Sequence, residues 1–338
     1  MEHLGDPLYP EPWALSTVES KRMEPMRRAA QMCGLKEVGE DKEWPVYWTD
    51  CSSLSTAIWN VQAPGTAPYC GRQYNQLALF QKINHFPGMT EICHKDLLAR
   101  NLNCMQKLYP TECNIFPCTW CLPADYGDFQ SYVRQRKTRT YICKPDRGCQ
   151  GRGIFITRNP WEIKPGEHMI CQQYISKPGP TGLPLSTEPH RKPSTLNAWL
   201  QEHSYDPREL WGDTEDIIIK AIISAHSVLH HSYRTCLPQY LSGGTCACFE
   251  ILGFDILLDH KLKPWLLEVN HSPSFTTDSH LDQEVKDALL CDAMTLVNLR
   301  GCDKRKVIEE DKRRVKKQLF QCHQQPREAR GPRCLTCV

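Results

Sequence analysis

A chain of 338 residues, 40% of them apolar, has room for one large α/β domain or two smaller ones with cores of their own. Charged residues at 24% are ordinary for a globular protein, and a formal net charge of +2 makes no general case for nucleic acid. No window approaches the roughly 20 apolar residues of a membrane span, and the opening MEHLGDPLYPEPWAL lacks the basic-then-apolar order of a secretory leader.

In chain order, residues 1–30 are rich in proline and charge and are expected to be loosely ordered. Glu43–Asp50 reads as a short aromatic strand, and Cys51–Leu79 has neither helical nor alternating periodicity and reads as an irregular insertion. Gln81–Gly88 is a turn leading into a helix over Met89–Leu108, which Pro110 ends. Asn114–Pro123 is extended and broken by prolines, and Ser131–Arg139 is a basic helix end. Strands follow at Thr140–Lys144, Ile154–Thr157 and Met169–Ile175, then a Pro/Gly-dense loop at Gly179–Ser194. Glu215–His231 is a buried helix, apolar along Ile218, Ile222, Ala225 and Leu229, and another amphipathic helix spans Asp282–Leu299. From Gly301 the chain changes character: Lys304–Lys317 holds eight basic and three acidic residues, a solvated face by default or a surface for an acidic polymer.

Nineteen cysteines include two C-x-x-C pairs, Cys118 with Cys121 and Cys334 with Cys337, neither with a second pair at zinc-finger distance. Without a leader, reduced thiols in a cytoplasmic setting are expected, many buried as small apolar residues.

The stretch richest in chemistry is Phe249–Phe275, two apolar runs around the turn DHKLKP, which reads as a β-hairpin. Glu268 and Asn270, two apart, leave one face of the second strand, and the hairpin brings Asp255 towards them. Two carboxylates and an amide oxygen suit a hard cation such as Mg²⁺ bridging nucleotide phosphates. A half-exposed hairpin could carry polar residues for no such reason, but Glu268 and Asn270 sit awkwardly in a run as apolar as WLLEVN. A second motif, KPDRGCQGRGIF at Lys144–Phe155, joins two strands; its glycines allow a backbone to approach phosphate, and Lys144 can place an ammonium there. It is neither a Walker loop nor a kinase loop, and a glycine-bearing hairpin turn is its plain reading. In MICQQYI, Gln172, Tyr174 and Ile175 sit where a strand-to-linker hinge can meet adenine with its backbone.

These strings, together with QKINHFPGMTEICHKDLLARNL, closely resemble the tubulin tyrosine ligase-like family, in its polyglutamylase branch, over roughly residues 27–50, 80–178 and 194–325. The resemblance implies an α/β, ATP-grasp-like ligase fold with its catalytic region at residues 140–300, and addition of glutamate to γ-carboxylates in tubulin tails using ATP and Mg²⁺. It implies ATP contacts at Lys144, Gln150, Gly151, Arg152 and Gly153 and a hinge at Gln172, Gln173, Tyr174 and Ile175. It further implies Mg²⁺ ligands Asp255, Glu268 and Asn270, direct service to the reaction by Glu268 and Arg152, and Lys286 near the incoming glutamate. The implied partners are free glutamate and the acidic tails of microtubules, gripped by the basic tail, with no nucleic acid or membrane, for a monomer at the cytoskeleton.

The resemblance breaks after Lys177-Pro178. There the family continues for several tens of residues, with a K-F-D-x-R-x-Y strand and an H-L-T-N segment, whereas this chain runs through GPTGLPLSTEPHRKPS and resumes at Ser194–Leu200. The missing text carries an arginine for the incoming acidic amino acid, further ATP contacts and central strands. Part of the central sheet is therefore expected to be absent, and activity weak or lost; the alternative reading is an inactive microtubule-binding form.

Overall fold

The computed structural model describes residues 11–15, 23–38, 46–48, 82–136, 139–145, 151–164, 166–177, 179, 193–240, 246–271, 273–277 and 279–297, with 312, 313 and 316 from the tail. The insertion expected at Cys51–Leu79, most of the loop Gly179–Ser194, Gln150 and nearly all of the basic run lie outside these residues.

The fold is mixed α/β, and its first unit is a parallel sheet of four strands: β1 (Glu11–Leu15), β2 (Leu35–Val38), β3 (Val46–Trp48) and β4 (Lys82–Ile83), in the order β2-β1-β3-β4. Of residues 1–30, expected to be loosely ordered, those described form regular elements instead. Glu11–Leu15 is an inner strand, and α1 (Glu24–Met32) starts with Pro25 in its first turn. Five residues containing a proline give too short a pattern to read as a strand, and only pairing on both sides makes it one. The helix α1 packs Met26, Ala29 and Ala30 against Leu290 and Met294 of the last helix, where Arg28 forks onto Asp287 at 2.9 and 3.1 Å.

The expected helix Met89–Leu108 is two helices, α2 (Thr90–Cys93) and α3 (Lys95–Leu108), parted by His94 with extended ψ of 130°. A second sheet, antiparallel and ordered β5-β8-β6-β7, follows: β5 (Thr119–Leu122), β6 (Tyr141–Pro145), β7 (Phe155–Thr157) and β8 (Met169–Gln173). Alternation along these strands gives the sheet two faces. Trp120, Tyr141, Cys143 and Cys171 form one core with Phe129 of α4 (Tyr126–Gln135), while Cys121 and Ile170 join another core on the opposite side.

That second core is completed by α6 (Pro207–Cys236), which follows α5 (Pro193–Glu202), and by a hairpin of β9 (Gly253–Leu258) and β10 (Pro264–Asn270). Asp206 caps α6, accepting the Arg208 N–H at 2.9 Å with Pro207 in the first turn, so the helix begins eight residues before the expected Glu215. Its buried face is also turned from the expected one: Ile217, Ala221, Ala225 and Leu229 face inward, whereas Ile222 is 40% exposed. Two alanines let the helix lie close to Leu266 and Val269 of β10, which the bulkier isoleucine row would prevent. Last comes α7 (His280–Leu296), capped by Ser279, whose hydroxyl accepts the Asp282 N–H at 3.1 Å. No described helix is long and apolar enough to cross a membrane.

Candidate functional site

The hairpin pairs Asp255 with Glu268 and Gly253 with Asn270, after a shift of register between Leu266 and Glu268. That irregularity leaves Leu266 and Val269 in the core and sets the two carboxylates opposite each other on the other face. The Asn270 amide nitrogen is 3.5 Å from Asp255 Oδ2, at the limit of a hydrogen bond, so the three side chains expected from the sequence do converge. Burial raises the Asp255 carboxyl above its ordinary value, and the hydrogen bond and charge of Glu268 add to the rise. Burial also works against ionisation of Glu268, but the Lys95 ammonium, the bond from Asp255 and the charge of Lys144 outweigh it and hold Glu268 low. One carboxyl tending to keep a proton beside one that has lost it is the signature of two acids sharing too little room. A hard divalent cation removes that conflict, and an Asp, a Glu and an Asn are the donors it takes; a half-turn of the Asn270 amide presents its oxygen.

Lys144 lies on the opposite sheet. Its neighbours Tyr141 and Cys143 point into the core around Phe129, so alternation sends Lys144 to the face shared with the hairpin. Only 7% exposed, its ammonium donates to Gln172 Oε1 at 3.2 Å, and Gln172 donates in turn to Thr119 Oγ1 at 2.9 Å. Burial lowers the Lys144 ammonium from its ordinary value; Glu268 pulls it back, Lys95 adds to the lowering, and Asp255 opposes it. The charges of Glu268, Lys95 and Asp255 thus all bear on the Lys144 ammonium.

Lys95, the first residue of α3, is the residue that sequence reasoning missed: its ammonium is 3.4 Å from Glu268 Oε2. A lysine at a helix start carries no local mark of a site more than 170 positions away. Two lysines converging on an acidic pair make a place where phosphate oxygens and a cation can be held together.

The residues expected to form a hinge lie at the end of β8, where the sheet itself uses part of their backbone. The N–H of Gln173 donates to Cys118 O at 2.8 Å and that of Tyr174 to Thr140 O at 2.9 Å, so neither is left for a purine. The Gln173 side chain turns to the other face and accepts from the Tyr132 hydroxyl at 2.9 Å, and the Gln172 side chain serves Lys144. Beside Tyr174 and Ile175 opens a cavity of about 370 Å³, lined also by Phe116, Arg139, Lys177 and Trp265. Gly151 and Gly153 adopt φ of 72° and 74°, and a Cβ on Gly153 would meet Pro145 Cγ at 2.9 Å, so the turn after β6 needs glycine there. Arg152 sits exposed between them. Lys286 of α7 donates to Thr276 O at 2.5 Å and lies 3.6 Å from Asp282. Among the described residues no hydrogen bond or ion pair joins Arg152 or Lys286 to Asp255 or Glu268. Gln150 is outside the described residues.

The sequence pattern of the Tubulin-tyrosine ligase family matches residues 73–179 and 186–306. A mouse protein named Tubulin polyglutamylase TTLL13 is 64% identical over 94% of this chain and 45% of its own length, and the human protein of the same name is 64% identical over 91% and 44%. A zebrafish protein named Tubulin polyglutamylase ttll6 is 47% identical over 92% and 45%. The chain thus spans less than half the length of these relatives. The match to the mouse protein extends over 382 residues, more than this whole chain contains, so the relative carries residues that find no counterpart here. The family pattern itself is interrupted after residue 179, where the sequence resemblance breaks. On the family pattern alone, which covers well over half of its length, the chain belongs to the tubulin-tyrosine ligase family.

Proposed function

We propose that this chain is the ATP-handling part of an ATP-grasp ligase that joins glutamate to glutamate side chains in tubulin tails. The observation that carries the reading is the pairing of Asp255 with Glu268 and the approach of Lys95 to Glu268 at 3.4 Å, with Lys144, from a third part of the chain, on the sheet face turned to the same core as the hairpin. Asp255, Glu268 and Asn270 would hold Mg²⁺, which supplies charge neutralisation for the nucleotide phosphates. Lys144 and Lys95 oppose phosphate charge from the two sides, the glycines at 151 and 153 let the backbone approach with Arg152 beside them, and the cavity at Tyr174 and Ile175 takes the base. The tubulin γ-carboxylate attacks the terminal phosphorus and ADP leaves. The amine of free glutamate then attacks the acyl carbon, phosphate leaves and one proton passes to solvent. Lys286, on the helix beyond the hairpin, is the cation assigned to the incoming glutamate, and the basic run Lys304–Lys317 adds salt-sensitive attraction to the acidic microtubule surface.

The break after residue 179 favours a second reading for this particular chain. Lys144, Lys95 and the set Asp255, Glu268 and Asn270 are all present, whereas the resemblance puts the arginine for the acidic amino acid and further ATP contacts in the stretch this chain lacks. This chain accordingly binds nucleotide and microtubules and transfers glutamate poorly. Incorporation of labelled glutamate into tubulin, with this chain beside a version carrying the mouse relative's extra residues after Lys177, tests both readings. The expected result is weak incorporation that the insertion restores and Glu268→Gln abolishes. Full activity without the insertion would overturn the second reading; none with it would overturn the first.

A further inference from the structure

Behind Lys144 lies a chain of buried hydrogen bonds that the proposed chemistry does not itself use. Lys144, Gln172 and Thr119 are 7%, 1% and 4% exposed, and they lie on three adjacent strands, β6, β8 and β5. The Thr119 hydroxyl is 2.7 Å from the carbonyl oxygen of Pro117, a group that can only accept. The single hydroxyl proton is therefore committed to Pro117, and Thr119 Oγ1 has only lone pairs to offer Gln172 at 2.9 Å. Only the amide nitrogen of Gln172 can meet them. Its oxygen must then point the other way, to the Lys144 ammonium at 3.2 Å. The reversed amide would set NH₂ against NH₃⁺ at one end and two acceptors against each other at the other, at side chains too buried for bulk solvent to relieve either. Thr119 itself is fixed by its pairing with Gln172 and by the Asn103 side chain, which donates to its carbonyl at 2.8 Å.

We propose that Thr119 is a positioning residue for Lys144: its hydroxyl decides which end of Gln172 faces the ammonium, and so holds that ammonium at the nucleotide site. The proposal rests on the reading of Lys144 as the phosphate-facing cation. Thr119→Val keeps the β-branched shape of the strand and removes the hydroxyl; Thr119→Ser keeps the hydroxyl. Two measurements on the full chain separate the possibilities: the rate at which a small acylating reagent modifies Lys144, followed by peptide mass spectrometry with Lys220 as internal control, and the affinity for MgATP by titration. In Thr119→Val, Lys144 reacts several-fold faster than in the wild type because its acceptor is no longer held, Lys220 is unchanged, and MgATP binds about tenfold more weakly. Thr119→Ser behaves as the wild type in both. Unchanged Lys144 reactivity in a folded Thr119→Val protein overturns the proposal, as does failure of Thr119→Ser to restore it. If the substitution changes Lys144 reactivity but wild-type protein binds no MgATP, the cradle for the lysine stands and the nucleotide reading falls.

Discussion

The sheet that carries Lys144 and the hairpin that carries Glu268 differ in how much of their own support they contain. The first has four strands, a core of its own on one face and a helix, α4, over that core. The hairpin has two strands, and its apolar face is covered by residues from far away in sequence: Ile92, Leu98 and Leu102 from α2 and α3, and Ala221 and Ala225 from α6. A two-stranded ribbon is marginal alone, so the geometry of Asp255 and Glu268 depends on long-range packing, whereas the geometry of Lys144 is set within its own sheet. The hairpin carboxylates should therefore lose their arrangement before the lysine does when packing is disturbed.

The sharpest way to break this contrast is a matched pair of core truncations. Leu266→Ala, at a position with no exposure in the hairpin, should cost about 2–5 kcal/mol, and Phe129→Ala, in the core behind the other sheet, about 3–5 kcal/mol, both read from denaturant midpoints. Measured well below melting, Leu266→Ala should lose the Mg²⁺ dependence of ATP binding and Phe129→Ala should keep it. Equal behaviour of the two would remove the contrast.

A smaller effect sits in the hairpin turn. Burial raises the Asp259 carboxyl, but donation from Trp265 Nε1 at 3.1 Å and from the N–H groups of Lys261 and Lys263 at 2.8 and 3.1 Å outweighs it and leaves the group below its ordinary value. Such a carboxyl binds a proton less readily folded than unfolded. Its stabilisation is complete above the unfolded value, about pH 4, and is lost as pH falls through the depressed folded value. Asp259→Asn should cost about 1 kcal/mol at neutral pH, and urea titrations below about pH 4 should show the gap to wild type closing.

The smallest effect belongs to the self-supported sheet. The Tyr141 hydroxyl is buried with no hydrogen-bond partner among the described residues, and burial raises it to about 12. Tyr141→Phe removes an unsatisfied group and keeps the ring contacts with Trp120 and Phe129. It should leave stability unchanged or raise it by about 1 kcal/mol; a loss of more than that in thermal melts would mean that the hydroxyl has a partner.

Much of this is legible in the sequence. Apolar runs around DHKLKP specified the hairpin, and spacing placed Glu268 and Asn270 on one face, because strand alternation is a local property. Lys144 was legible from its position ahead of glycines whose positive φ the turn requires. Lys95 and Thr119 were not, since each acts through contacts made only after distant elements pack, and neither residue type is unusual where it stands. The buried face of α6 is legible at Ala225 and Leu229 but not one and two turns earlier, where Ile217 and Ala221 rather than Ile218 and Ile222 face inward, because an isoleucine-rich stretch offers two apolar rows and tertiary fit to β10 chose between them. The strand Glu11–Leu15 was missed for a related reason: five residues have no period of their own, and two neighbouring strands create the ladder.

The central claim is that the carboxylates of the hairpin and the lysines facing them form one MgATP site. Calorimetric titration of ATP into this chain, with Mg²⁺ and again with EDTA, tests it directly when repeated on Glu268→Gln. The account predicts binding that weakens at least about tenfold on chelation, and a variant as weak with Mg²⁺ as without. Equal affinity with and without Mg²⁺ in wild type and variant alike would contradict it.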